Sequence, residues 1–117
     1  MYHSFEDLDV WKKACDLAVK IYEILRDCRD YGLKDQMCRA AVSIPSNIAE
    51  GIERESKKET IHFLHIAKGS CAELRTQIHI AIRISLLDVE AGKQLRAEAT
   101  DISKMLHGLI KSIGKTT

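Results

Sequence analysis

Apolar residues recur at steps of three and four along almost the whole of this chain. Such spacing puts them on one face of a helix, whereas a half-buried strand needs a period of two. From about Leu8 to Cys28, the series Trp11, Ala14, Cys15, Ala18, Ile21, Tyr22, Leu25 and Cys28 predicts a first amphipathic helix. "RDYGLKD" follows, where Gly32 supplies a break, and Met37, Ala40, Ala41, Ile44 and Ile48 predict a second helix ending near Gly51. Glycine there can take the left-handed terminal conformation. Ser56 and Glu59 have the spacing of a capping box, which starts a third helix at about Lys57. Its stripe of Leu64, Ala67, Cys71, Leu74, Ile78 and Ile82 continues toward Leu86, where "LLDVEAG" interrupts with Asp88 as a cap. A fourth helix carries Leu95, Ala99, Ile102, Leu106, Leu109 and Ile113 on a narrow seam like that of a coiled coil.

Four helices with one apolar stripe each and short connections bury those stripes together by packing side by side. The expected fold is therefore all-α, an antiparallel up-down-up-down four-helix bundle, with residues 1–117 forming a single domain around one core. A composition of 45% hydrophobic and 30% charged residues excludes wholesale disorder. The start "MYHSFEDLDVW" lacks the basic and apolar segments of a signal peptide. No uninterrupted apolar stretch reaches the ~18 residues of a membrane span. A cytoplasmic protein with no membrane partner is expected. Cys15, Cys28, Cys38 and Cys71 show no CxxC spacing, and three of them fall on the stripes, so they read as buried free thiols.

The only proline, Pro45 in "SIPSNIAEG", lies inside the second stripe, which keeps its register from Ile44 to Ile48. The helix should bend there and continue. The ring crowds the carbonyl of Ala41 and removes one backbone donor, at a cost of roughly 3 kcal/mol if nothing compensates. Ser43, Asn47 and Glu50 follow one another at steps of four and three beside the stripe, placed to form a polar seam to loosened backbone groups or to the next helix. The bland alternative is a tolerated kink with solvated flanks.

"F-x-D-L-x-V-W-K-K-A" over 5–14, "R-A-x-x-S-I-P-S-N-I-A-E-G" over 39–51 and "F-L-x-I-A-K-G-S-x-A-E-L-x-T-Q" over 63–77 resemble the four-helix-bundle proteins encoded within bacterial 23S ribosomal RNA intervening sequences. The resemblance covers nearly the whole chain and singles out Arg39, Ser43, Pro45, Asn47, Glu50, Gly51, Gly69, Ser70 and Glu73 as structural motif residues. Thr60 stands where the family pattern has an aromatic. The resemblance implies a short bundle assembled as a homo-oligomeric ring, typically a pentamer, with no established catalytic activity. A related branch, the accessory proteins of diversity-generating retroelements, works beside a reverse transcriptase and is markedly basic, which a net charge of +1 fits poorly.

Catalytic chemistry finds little to work with. His62 and His65 share a helical face, but no HExxH or paired CxxC completes a metal set. Ser43, Ser46 and Ser70 lack a glycine-rich elbow or a base at motif spacing. "KGS" at 68–70 reads as mid-helix and not as a phosphate loop, with Gly69 allowing close helix approach. No enzyme activity, cofactor or metal is therefore expected, and the function becomes that of a non-catalytic scaffold that binds a protein or RNA partner. A net charge of +1, from 18 Lys and Arg against 17 Asp and Glu, leaves only local patches for phosphate. Arg54, Lys57 and Lys58 form one such nucleic-acid-binding candidate, diluted by Glu53, Glu55 and Glu59, and Lys12 with Lys13 another. Antiparallel pairing through the turn at 52–56 sets Arg39 opposite Glu73 as an ion pair. Ile80, Ile84 and Leu87 make a second apolar stripe that the core leaves uncovered, which marks an oligomer interface.

Overall fold

The computed structural model describes residues 4–115, which fold as a 3-10 turn (Phe5–Asp7) and four helices: α1 (Asp9–Ile24), α2 (Tyr31–Ile52), α3 (Lys57–Arg83) and α4 (Val89–Lys115). No strand occurs among the described residues. Each of the last three helices starts on a side-chain cap. Asp30 accepts from the Leu33 amide at 3.1 Å, Ser56 from the Glu59 amide at 3.1 Å, and Asp88 from the Ala91 amide at 3.2 Å. The break before α2 therefore falls at Asp30, and Gly32 is exposed within its first turn.

Cross-helix contacts give the sense of each pairing. Ser43 meets Ser70 and Gly51 meets Thr60, so numbers fall on α3 as they rise on α2. Lys68 meets His107 and His79 meets Arg96, which reverses α4 against α3. On the far side, Lys20 Nζ of α1 donates to Glu98 of α4 at 2.6 Å, a bond that raises the lysine's pKa. The result is a rod of 49 × 20 × 19 Å with one core along its axis. Leu17, Ile21, Met37, Ile44, Ile48, Leu64, Leu74, Ile78, Ile102 and Leu106 are all fully buried in that core.

α2 runs unbroken through the buried Pro45. Two residues further on, Asn47 Nδ2 donates to the Ser43 carbonyl at 2.8 Å and to Ser43 Oγ at 2.9 Å. Ser43 Oγ is also 2.8 Å from Ser70 Oγ on α3. The carbonyl that Pro45 deprives is that of Ala41, so the Asn47 amide does not replace the missing backbone bond; it fixes Ser43, and the three residues tie α2 to α3.

Two glycines depart from the roles that their positions in the sequence imply. Gly51 does not end α2 in a left-handed conformation; the helix continues to Ile52, and no glycine has positive φ among the described residues. Its missing side chain instead admits α3, because a Cβ there would lie 2.9 Å from Phe63 Cβ and 3.1 Å from the Thr60 carbonyl. Thr60 fits this close approach: its buried hydroxyl donates to the Gly51 carbonyl at 2.8 Å, which an aromatic could not do. Gly69 is no point of close helix approach, since nothing lies within 4 Å of a Cβ built on it. Gly51→Ala should therefore destabilise the fold by about 1–3 kcal/mol, because both neighbours belong to rigid parts of α3. Gly69→Ala should stabilise it by up to ~1 kcal/mol through helix propensity. Thermal melts of the two variants check both signs.

α3 ends in a Schellman motif, with the Ser85 amide donating to Ile82 O at 3.0 Å and the Leu86 amide to Ala81 O at 2.8 Å. Ser85 holds the left-handed position with φ 61°. This reversal turns the chain inward and buries Leu87, which leaves the expected outer stripe of Ile80, Ile84 and Leu87 with only its first two members exposed.

Candidate functional site

The Arg54, Lys57 and Lys58 cluster is only partly available. Arg54 Nη2 donates to Glu50 Oε1 at 2.9 Å, and its guanidinium lies 4.7 Å from the centroid of the Phe63 ring. Glu50 accordingly leaves the polar seam for this surface pair, while Ser43, Asn47 and Ser70 stay in it. Lys57 and Lys58 are exposed on the first turn of α3. Arg39 does not pair with Glu73: its Nε donates to Asp35 Oδ2 at 3.0 Å, one turn earlier on the same helix. A long arginine reaches an i−4 carboxylate at small entropic cost, so the local partner wins over the cross-helix one. Arg39 and Glu73 still face one shallow α2–α3 cleft, together with Gln77, whose buried Oε1 has no hydrogen-bond partner.

The grooves on the two sides of α4 differ in charge. Toward α1, a cleft of about 440 Å³ is lined by Lys13, Lys20, Asp16, Glu23, Glu98 and Asp101, where opposite charges offset one another. Toward α3, a cleft of about 520 Å³ is lined by Ala72, Arg75, Thr76, His79 and Arg96, with no carboxylate. Arg96 Nη1 donates to His79 Nδ1 at 2.9 Å, and Lys68 Nζ to His107 Nδ1 at 3.3 Å. A guanidinium and an ammonium only donate, so each imidazole is the acceptor and neither cation is neutralised. The local clusters at 54–58 drew attention in the sequence because they are contiguous. The α3–α4 cations are separated by three to eight residues and become visible only when charge is counted by helix face.

Among the described residues no group of three His, Cys, Asp or Glu side chains could hold a metal ion. His62 stacks edge-on with Phe63 at 5.6 Å between centroids. Cys71 is fully buried, and burial pushes its thiol up to about 11; burial also raises Cys15 and Cys38. Thiols held in that direction are poor nucleophiles. Among the described residues no helix is long and apolar enough to cross a membrane.

Fold and surface together define a helical-bundle protein whose fixed polar contacts are structural: caps, a seam at the proline and surface pairs. The pattern of the 23S rRNA-intervening sequence protein family matches residues 6–108, and the chain belongs to that family. The fold is also similar to the crystal structure, at 1.70 Å resolution, of a protein with unknown function from the S23 ribosomal protein family of Bacteroides thetaiotaomicron VPI-5482. That likeness has a TM-score of 0.83 at 27% identity and covers 87% of this chain and 98% of the other. No curated protein sequence matches the chain.

Proposed function

We propose that the protein is a non-catalytic scaffold that assembles with further copies of itself and binds a macromolecular partner. The observation that carries the reading is the outer face of α3. Ile80 and Ile84 lie one turn apart and are 44% and 54% exposed even though Leu87 has turned into the core. Paired β-branched residues half-exposed on a rigid helix favour burial against another chain, each gaining about 1 kcal/mol when the remaining surface is covered. The family resemblance supports a closed ring of five. A ring also repeats each surface patch around its axis, so weak partner sites gain avidity together.

Light scattering at micromolar concentration tests the assembly. A mass near five times 13.2 kDa is expected, and Ile84→Glu should reduce it to the monomer with helical content unchanged. A wild-type monomer of 13.2 kDa would overturn the scaffold reading.

A further inference from the structure

We infer that the α3–α4 face is a docking surface for the phosphate backbone of a nucleic-acid duplex. This names the partner left open in the scaffold reading and rests on that reading only for the gain from repetition. The near-zero net charge of the chain conceals a strong separation of charge between faces. On α3, Lys68, Arg75 and His79 succeed one another at steps of seven and four on the side turned to α4. Across from them on α4, Arg96 and His107 bond to His79 and Lys68, and Lys104 and Lys111 stand three residues before and four after His107 on the adjoining outer side. Arg75, His79, Lys104, His107 and Lys111 are exposed, and Lys68 and Arg96 are half-buried where the helices meet.

The carboxylates of the same two helices all lie elsewhere. Glu73 lines the α2–α3 cleft, and Glu98 and Asp101 line the α1–α4 cleft. Glu90 lies six residues before Arg96, beyond the end of the row, while Glu59 precedes by one turn Phe63, which packs against Gly51 of α2. What remains between α3 and α4 is a straight strip about 20 Å long, from the 1.5 Å rise per residue, that carries cations and no anion.

Charge alone fits any polyanion, and two further features select a duplex. All the Phe, Tyr and Trp residues of the chain lie at or before Phe63, so the strip's only aromatic rings are the imidazoles of His79 and His107, each already engaged at Nδ1 by a cation. Recognition therefore rests on phosphates. In addition, the two cation–imidazole bonds hold Arg96 and Lys68 in place across the helix interface. A rigid row of cations suits the regular phosphate array of a duplex better than a flexible strand, since neither partner has to be ordered on binding.

The test is fluorescence anisotropy with a 20-base-pair RNA duplex, the DNA duplex of the same sequence and the single RNA strand, at 50 and 200 mM salt. If each subunit meets about four phosphates, affinity for a duplex should fall roughly 10²-fold between the two salts. Arg75→Glu combined with Lys104→Glu should weaken binding at least tenfold and flatten the salt slope. Lys12→Glu combined with Lys13→Glu, the same change of charge placed on α1, should leave binding within twofold. Preference for the RNA or the DNA duplex identifies which backbone geometry the strip fits, and either supports the assignment. No duplex binding at 50 mM salt, equal loss with the α1 variant, or tighter binding of the single strand overturns it. Light scattering on the same samples separates the two ideas: an intact oligomer that ignores duplexes defeats the docking surface alone, and a monomer that binds them through α3–α4 defeats the scaffold alone.

Discussion

Leu74→Ala should lower the urea midpoint of unfolding by about 2 M, corresponding to a loss near the upper part of the 2–5 kcal/mol range for buried leucines. Leu74 is fully buried at the middle of α3, the helix that packs most extensively on both of its neighbours. The cost of a truncation depends on how far the surroundings can collapse into the space left. Here the α2 side is held by the Ser43, Asn47 and Ser70 contacts, and the α4 side by the insertion of Ile82 where Gly92 has no side chain. Neither helix can close the gap without breaking one of these, so most of the cavity should persist. Ile80→Ala, on the outer face of the same helix, should cost the monomer less than ~1 kcal/mol because that side chain is already 44% exposed. Equal losses for the two variants would show that the helix face is assigned wrongly.

The bundle was legible in the sequence because burial imposes a helical period on apolar residues, and three of the four starts rest on local cap chemistry at Asp30, Ser56 and Asp88. Ser56 and Asp88 could be recognised from spacing. Asp30 was obscured by Gly32, which looks like a stronger breaker than a cap but has no special backbone conformation here. The errors share a cause. Gly51, Gly69 and Leu87 were judged by residue type, yet their roles depend on what stands opposite or on how the chain turns: Phe63 and Thr60 against Gly51, open space beside Gly69, and the left-handed Ser85 before Leu87. Arg39 shows the same limit for charge. Facing positions on two helices fixed that it would share a cleft with Glu73, but competition with Asp35 decided the bond.

Charge is where whole-chain quantities mislead most. A net charge of +1 suits a protein indifferent to phosphate, and the contiguous Arg54, Lys57 and Lys58 cluster draws the eye because residues adjacent in sequence are easily counted. Helices disperse neighbours around their circumference and bring together residues three, four and seven apart. Arg54 is accordingly spent on Glu50 and Phe63, whereas the separated Arg75, His79 and Arg96 converge on one groove.

Between pH 9 and 11 the protein should lose about 2 kcal/mol of stability through a single group, the thiol of Cys71. Burial raises that thiol from 9.0 to about 11, because the fully buried site solvates a thiolate poorly, and nearby Arg75 offsets only part of the effect. In the unfolded chain the thiol ionises near 9.0, so above that pH the unfolded state gives up a proton that the folded state retains. Stability from this source is complete below pH 9, declines as the pH rises, and is gone once the folded thiol also ionises above about 11. The two-unit difference at about 1.36 kcal/mol per unit sets a limit of about 3 kcal/mol, most of it lost between pH 9 and 11. Cys38 and Cys15 shift in the same direction and add to the slope, as does Lys20 through its bond to Glu98. The comparison that isolates Cys71 is with Cys71→Ala. At pH 8 the variant should be the less stable of the two, having lost buried sulfur contacts. As the pH rises the wild type should lose its margin, until the difference closes or changes sign near pH 11. Urea titrations at intervals of half a pH unit measure this directly. A difference that stays constant across the range would mean that Cys71 ionises in the folded protein as readily as in water.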